Sequence, residues 1–187
     1  MLVFLDYIRS YTQVSAALAE DLLDLVETDQ YPKGHILLNE GRVCYRLFFL
    51  KKGTARTFYF QDGKDITSWI YPEQIPFTAW SSFLSGRPSF EYIEILEDAE
   101  VDSISADQLE RLYEKYPKFE RFGRKLVEEQ LLFLDQFSKG YLFMTAREKY
   151  DLLHSFFPDV TLRVNLGHIA SFLGVSQETL SRIRRKR

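Results

Sequence analysis

Residues 166–185 read LGHIASFLGVSQETLSRIRR, the pattern of two helices joined by a tight turn. Ile169 and Leu173 fall four apart on one face of the first helix, and small Ala170 lets a second helix come close. Gly174 supplies the turn, because a residue without a Cβ reaches the left-handed backbone that a sharp reversal needs. Val175, Leu180 and Ile183 are the apolar plugs of the angle between the helices. Ser176 sits where an N-cap belongs, so the second helix opens with Gln177, Glu178 and Thr179 and carries Arg182 one turn later. Its polar face suits duplex DNA: glutamine can take adenine bidentately, glutamate can accept from cytosine, arginine can pair with guanine, and serine and threonine hydroxyls suit phosphates. The alternative is a helical hairpin that only packs, with its polar side chains facing water.

The charge distribution favours the first reading. Five of the last six residues are basic (Arg182, Arg184, Arg185, Lys186, Arg187), whereas residues 91–110 hold eight carboxylates and no Lys or Arg. Upstream, Asn165 is a good N-cap, residues 160–164 have the β-branched texture of a short strand, and 145–157 read as a helix stopped by Pro158. Thr145 with Glu148 three residues on is a capping-box arrangement for that helix.

A long helix is predicted over 117–137, with Pro117 in its first turn. Phe119, Phe122, Leu126, Gln130, Phe133 and Phe137 form one stripe, and Val127, Leu131 and Leu134 a second apolar face. Two faces need two partners. One can be the rest of the chain and the other a second copy of the same helix, as in a coiled-coil seam; the alternative is that both pack within the chain. The expectation taken forward assigns the Phe119 to Phe137 stripe to the dimer helix.

Before residue 106 the texture is β. Short runs at 36–38, 46–51, 54–60, 66–71, 91–96 and 101–104 are rich in Ile, Phe, Tyr, Thr and Trp and are punctuated by glycines. Asp62-Gly63 between two of them signals a hairpin. An amphipathic helix over 14–28 precedes them. Short, evenly spaced strands suggest a small barrel or sandwich.

Composition excludes several classes. The 187 residues carry 24 Lys plus Arg against 27 Asp plus Glu, and 45% are hydrophobic, which is globular and not disordered or low-complexity. No apolar run approaches the roughly 20 residues that span a bilayer. Residues 1–10 lack the basic start of a secretory signal, so a cytoplasmic location and no membrane partner are expected. Cys44 is alone, which excludes an internal disulfide or a cysteine-ligated cluster, and His35, His154 and His168 are scattered without metal-ligand spacing. No metal or cofactor is expected. No nucleophile elbow, phosphate loop or Cys/His couple is present, so the chain is not expected to be an enzyme.

The string IASFLGVSQETLSRIRRK, preceded by TAREKYDLL, resembles the helix-turn-helix end of the Crp/Fnr family of bacterial transcription regulators. KGHILLNEG followed by YRLFFLKKGTARTFYFQDGKD is similar to the opening strands of that family's cyclic-nucleotide-binding-type roll. The resemblance implies an α+β fold: an N-terminal β-roll (1–106), a linker and long dimerisation helix (107–138), and a C-terminal winged-helix-like helix-turn-helix domain (139–187). It implies a homodimer on a palindromic DNA operator, with RNA polymerase as a further partner. Base-reading positions fall on Gln177, Glu178 and Arg182, and phosphate-side positions on Ser176, Thr179 and Arg185. The family usually has arginine where Gln177 stands. The chain given ends at Arg187, so any wing is expected before Asn165.

In cyclic-AMP-responsive members of that family a Gly-Glu pair and a later Arg-Ser pair cradle the ribose and cyclic phosphate. Here those places hold Phe77-Thr78 and Pro88-Ser89, with Arg87 one position early, so tight cyclic-AMP binding is not expected. Thr78, Trp80, Ser81, Ser82, Arg87, Ser89 and Tyr92 are either the lining of a pocket for another small-molecule effector or part of a filled core around Phe77, Trp80 and Phe83. The rival function is a dimeric interaction module of the same architecture that binds a protein instead of DNA. Salt dependence separates the two, because phosphate contacts release counterions.

Overall fold

The computed structural model describes residues 3–141 and 143–185, with the side chains of residues 3, 136, 137, 139 and 140 outside the described set. Eight strands are described: β1 (Glu27–Tyr31), β2 (Ile36–Leu38), β3 (Arg46–Lys52), β4 (Ala55–Gln61), β5 (Lys64–Tyr71), β6 (Pro76–Phe77), β7 (Tyr92–Ile95) and β8 (Ala99–Ser105). They form two antiparallel sheets, ordered β1-β8-β3-β6 and β2-β7-β4-β5.

The strand β3 explains how the layers stack. Its residues 47–50 are all buried, so both of its faces have partners. Phe48 and Leu50 point between the sheets, where they join Cys44, Ala55, Tyr71, Phe77, Ile93, Ile95 and Val101. Leu47 and Phe49 point the other way, into a second core with the flanking helices. The period-2 geometry of a strand makes this division unavoidable once both faces are covered.

That second core is built by α1 (Val3–Arg9), α2 (Ala16–Leu25), α4 (Ala106–Lys115), a 3-10 turn at Pro117–Phe119 and the start of α5 (Glu120–Tyr141). Ser15 caps α2 by accepting from Leu18 N, and Ser105 with Gln108 forms a capping box on α4. The short α3 (Trp80–Ser85) ends on Gly86 in the left-handed region. Asp62 and Gly63 both have positive φ, 51° and 75°, and close the β4–β5 hairpin in two residues, as a type I′ turn requires.

Four helices follow: α6 (Ala146–Phe156), α7 (Val160–Arg163), α8 (Leu166–Leu173) and α9 (Gln177–Arg185). They share a third core with Ile70 and Leu96 of the roll. The strand expected over 160–164 is instead the single helical turn α7. Its β-branched Val and Thr gave strand texture, but Leu162 N and Arg163 N both bond to Asp159 O and Val160 is fully buried. Among the described residues no strand follows Ser105, so the expected wing is not there. The C-terminal segment is helical.

Candidate nucleic-acid interface

The corner between α8 and α9 is built as its residues dictate. Asn165 Oδ1 accepts from Gly167 N at 2.7 Å and starts α8. Gly174 adopts φ +68° and ψ +33°, and the N–H groups of Gly174 and Val175 bond back to the carbonyls of Ser171 and Ala170 at 3.0 and 2.9 Å. Ala170 and Leu180 are buried and Val175 and Ile183 half-buried, so the plugs lie in the angle between the helices. Ser176 Oγ accepts from Thr179 N at 3.1 Å and starts α9. From α6, Arg147 donates to Ile183 O at 3.0 Å, which ties the far end of α9 down. Sequence reading had no signal for that last contact.

The opposite face of α9 is open. Ser176, Gln177, Glu178, Arg182, Arg184 and Arg185 are exposed, and Thr179 is half-buried. Glu178 and Arg182 form an ion pair one turn apart. Gly167 leaves room for this face, because a Cβ there would stand 3.0 Å from Gln177 Nε2. Five of the six expected DNA-side residues therefore lie on one short helix, the sixth, Ser176, caps it, and most of them face solvent.

The residues expected around an effector are not gathered into one site. Thr78, Ser82 and Ser89 are buried and internally bonded: Thr78 Oγ1 donates to Arg46 O at 2.9 Å, Ser82 Oγ donates to Arg87 O at 2.5 Å, and Ser89 Oγ donates to Glu91 O at 3.0 Å. Trp80 packs on the helical core outside the first sheet. Tyr92 stacks on Phe58 at 4.9 Å, on the outer side of the second sheet. Ser81 and Arg87 face solvent. Between the sheets Phe77 is fully buried, 5.5 Å from the Phe48 ring and 5.1 Å from Tyr71. Of the three expected plugs only Phe77 lies between the sheets; Trp80 and Phe83 pack on the helical core.

The long helix needs a similar correction. Phe119, Phe122 and Leu126 lie in the protomer's own core, Gln130 is half-buried, and Phe133 packs edge-on against Trp69 at 5.0 Å. The Phe137 side chain lies outside the described residues. The first half of the stripe assigned to the dimer, Phe119 to Leu126, thus faces inward, while Phe133 is 36% exposed. The other face carries Val127, Leu131 and Leu134 at 40, 67 and 57% exposure. Periodicity gives two apolar faces but does not say which of them the rest of the chain covers.

Among the described residues, no helix is long and apolar enough to cross a membrane, and no group of three or more His, Cys, Asp or Glu is placed to hold a metal ion.

Residues 28–116 match the family described as the cyclic nucleotide-binding domain. No curated protein gives a significant sequence match. Solved structures resemble nearly the whole chain. The global regulator CLP of Xanthomonas campestris, described as responsive to c-di-GMP, is 15% identical with a TM-score of 0.65, over 92% of this chain and 91% of its own. FixK2 of Bradyrhizobium japonicum is 17% identical with a TM-score of 0.70, over 87% and 84%. A regulator of the crp/fnr family from Eubacterium rectale, itself described as putative, is 17% identical with a TM-score of 0.67, over 92% and 82%. At these identities the likeness is one of fold: a cyclic-nucleotide-binding-type roll followed by helices, as in Crp/Fnr regulators. The regulators among them are not described as enzymes.

Proposed function

We propose that this protein is a homodimeric, sequence-specific DNA-binding transcription regulator of the Crp/Fnr type. The observation that carries the reading is the corner of α8 and α9: a short capped helix, braced from behind by buried Leu180, presents Gln177, Glu178 and Arg182 to solvent as a set. In a major groove Arg182 pairs with guanine, and Gln177 and Glu178 read adenine and cytosine edges, while Ser176, Thr179 and Arg185 meet phosphates. Two copies joined along α5 through Val127, Leu131 and Leu134 would hold their α9 helices about 34 Å apart, one turn of duplex. RNA polymerase is the partner such a regulator addresses, and the cytoplasm is where it works.

Cyclic AMP is not its effector on this reading. Phe77 occupies the space between the sheets that a ribose would need, and no arginine stands at the Pro88-Ser89 place. Calorimetry with cyclic AMP is expected to give no heat at micromolar ligand, and micromolar affinity overturns this part.

The decisive experiment is selection of bound duplexes from a random pool, followed by titration against salt. A two-fold symmetric consensus, with affinity falling steeply as salt rises, is the expected result. Failure to enrich any sequence, or binding indifferent to salt, defeats the proposal in favour of a protein-binding module.

A further inference from the structure

The helices α6–α9 are held against the roll by contacts of three different kinds. At the edge strand β5, Ser171 Oγ accepts from Thr67 N at 2.9 Å and donates to Asp65 O at 3.1 Å, so one hydroxyl satisfies the outward N–H and C=O of an otherwise open sheet edge. Next to it, Trp69 lies against Phe133 of α5, Phe156 of α6 and Phe172 of α8, with ring centroids 5.0, 5.9 and 5.1 Å away. Beyond it, Arg163 of α7 reaches two carboxylates of the roll. Its Nη2 stands 2.9 Å from Glu73 Oε1 and 2.7 Å from Glu97 Oε1, and its Nε 2.9 Å from the same Glu97 oxygen.

The two carboxylates are themselves anchored to one turn. Glu73 Oε1 accepts from Gly53 N at 2.9 Å, and Glu97 Oε1 accepts from Thr54 Oγ1 at 2.6 Å. Gly53 has φ +103°, and a Cβ there would lie 2.7 Å from the Ala99 Cβ, so only glycine fits this turn. Arg163 also has Asp159, the N-cap of its own helix, 3.5 Å away. One cation therefore faces three carboxylates, and a guanidinium can fork between two of them where an ammonium cannot.

Polar ends and a narrow aromatic middle suit a joint that opens and closes. The side chains of Arg163, Glu73 and Glu97 are 19, 34 and 33% exposed, so water reaches them as soon as the surfaces part. We propose that Arg163, Glu73 and Glu97 form a releasable latch through which the β3–β4 turn governs the docking of α6–α9 on the roll. The latch goes beyond the reading of α9 as a DNA element and holds whether or not that helix meets DNA. If it does, the latch sets the pose in which α9 is offered.

Thr67 N is the reporter, since it donates across the joint to Ser171 of α8. Hydrogen exchange of the Thr67 amide in the full chain is expected to accelerate at least about tenfold in Arg163→Ala, with the Val101 amide in the centre of the roll unchanged. Arg163→Lys should fall between, and Glu97→Gln should resemble the alanine variant more weakly. Should Arg163→Ala unfold globally, both amides accelerate together, and Glu97→Gln is then the deciding variant. A Thr67 amide that keeps its wild-type protection in the folded variants overturns the latch. The measurement uses no DNA, so its failure is distinguishable from failure of the regulator reading.

Discussion

Arg182 is ion-paired with Glu178 one helical turn before it, with the two side chains 71 and 75% exposed. A pair this open contributes at most about 1 kcal/mol, so giving it up to a base costs little. Arg182→Ala is expected to weaken binding to a selected site by about 1–3 kcal/mol per half-site and to relax preference at one base pair. Titration against the consensus and its single-base variants checks both. Equal loss on every sequence would make Arg182 a phosphate contact instead.

The two faces of α5 are expected to respond differently. Leu131→Glu together with Leu134→Glu places charge on the exposed face and should convert dimer to monomer in sedimentation while the melting temperature of the protomer moves little. Phe122→Ala empties a fully buried site and should cost about 3–5 kcal/mol of folding stability. A monomeric wild type, or a dimer that ignores the double glutamate, refutes the seam.

Asp102 is a buried carboxylate on β8 with one oxygen accepting from Thr28 Oγ1 at 2.6 Å and the other, Oδ2, without a hydrogen-bond partner among the described residues. Burial pushes its pKa up from the ordinary aspartate value, with the Thr28 bond and Lys51 opposing. A raised native pKa gives stability that is present at low pH and lost as pH rises, so at neutral pH this group is a net cost. Asp102→Asn should raise stability at pH 7 by about 1 kcal/mol, the scale of one unsatisfied buried group, and the gain should shrink towards pH 4. Denaturant unfolding at the two pH values is the check.

The strands with alternating apolar residues, the Asp62-Gly63 hairpin, the Thr145–Glu148 cap and the corner at Gly174 were legible because each is decided locally. β1 was not: ETDQY shows no alternation, and it is a strand only because β8 lies beside it. β6 is two residues long and has no pattern to find. The 160–164 segment was misread because a single turn is too short for its period to outweigh β-branched composition. The interface residues divided in the same way. Gln177, Glu178 and Arg182 follow from a cap and a period, whereas Arg163, Trp69 and Ser171 matter through partners about 65 to 105 residues away, which no local rule reaches.

His168 lies half-buried where α8 meets the roll. Burial lowers its pKa from the usual histidine value, the Arg56 guanidinium and Lys33 add to that, and Asp65 and Glu94 pull the other way. With the native pKa depressed, the stability it contributes is present above about pH 6.5 and lost as pH falls through the native value. His168→Gln should therefore flatten the fall in melting temperature between pH 7 and pH 5. A slope identical to wild type would mean that the imidazole is not the titrating group at this joint.

Phe77 fixes one more property of the molecule. A guest entering between the sheets has to push aside Phe77, Phe48 or Tyr71, and so forfeits the packing of an aromatic ring, about 3–5 kcal/mol. That is a handicap of roughly two to four powers of ten on any association constant. The space between the two sheets is already occupied, and a messenger small enough to diffuse in would have to outbid the chain's own rings for the seat.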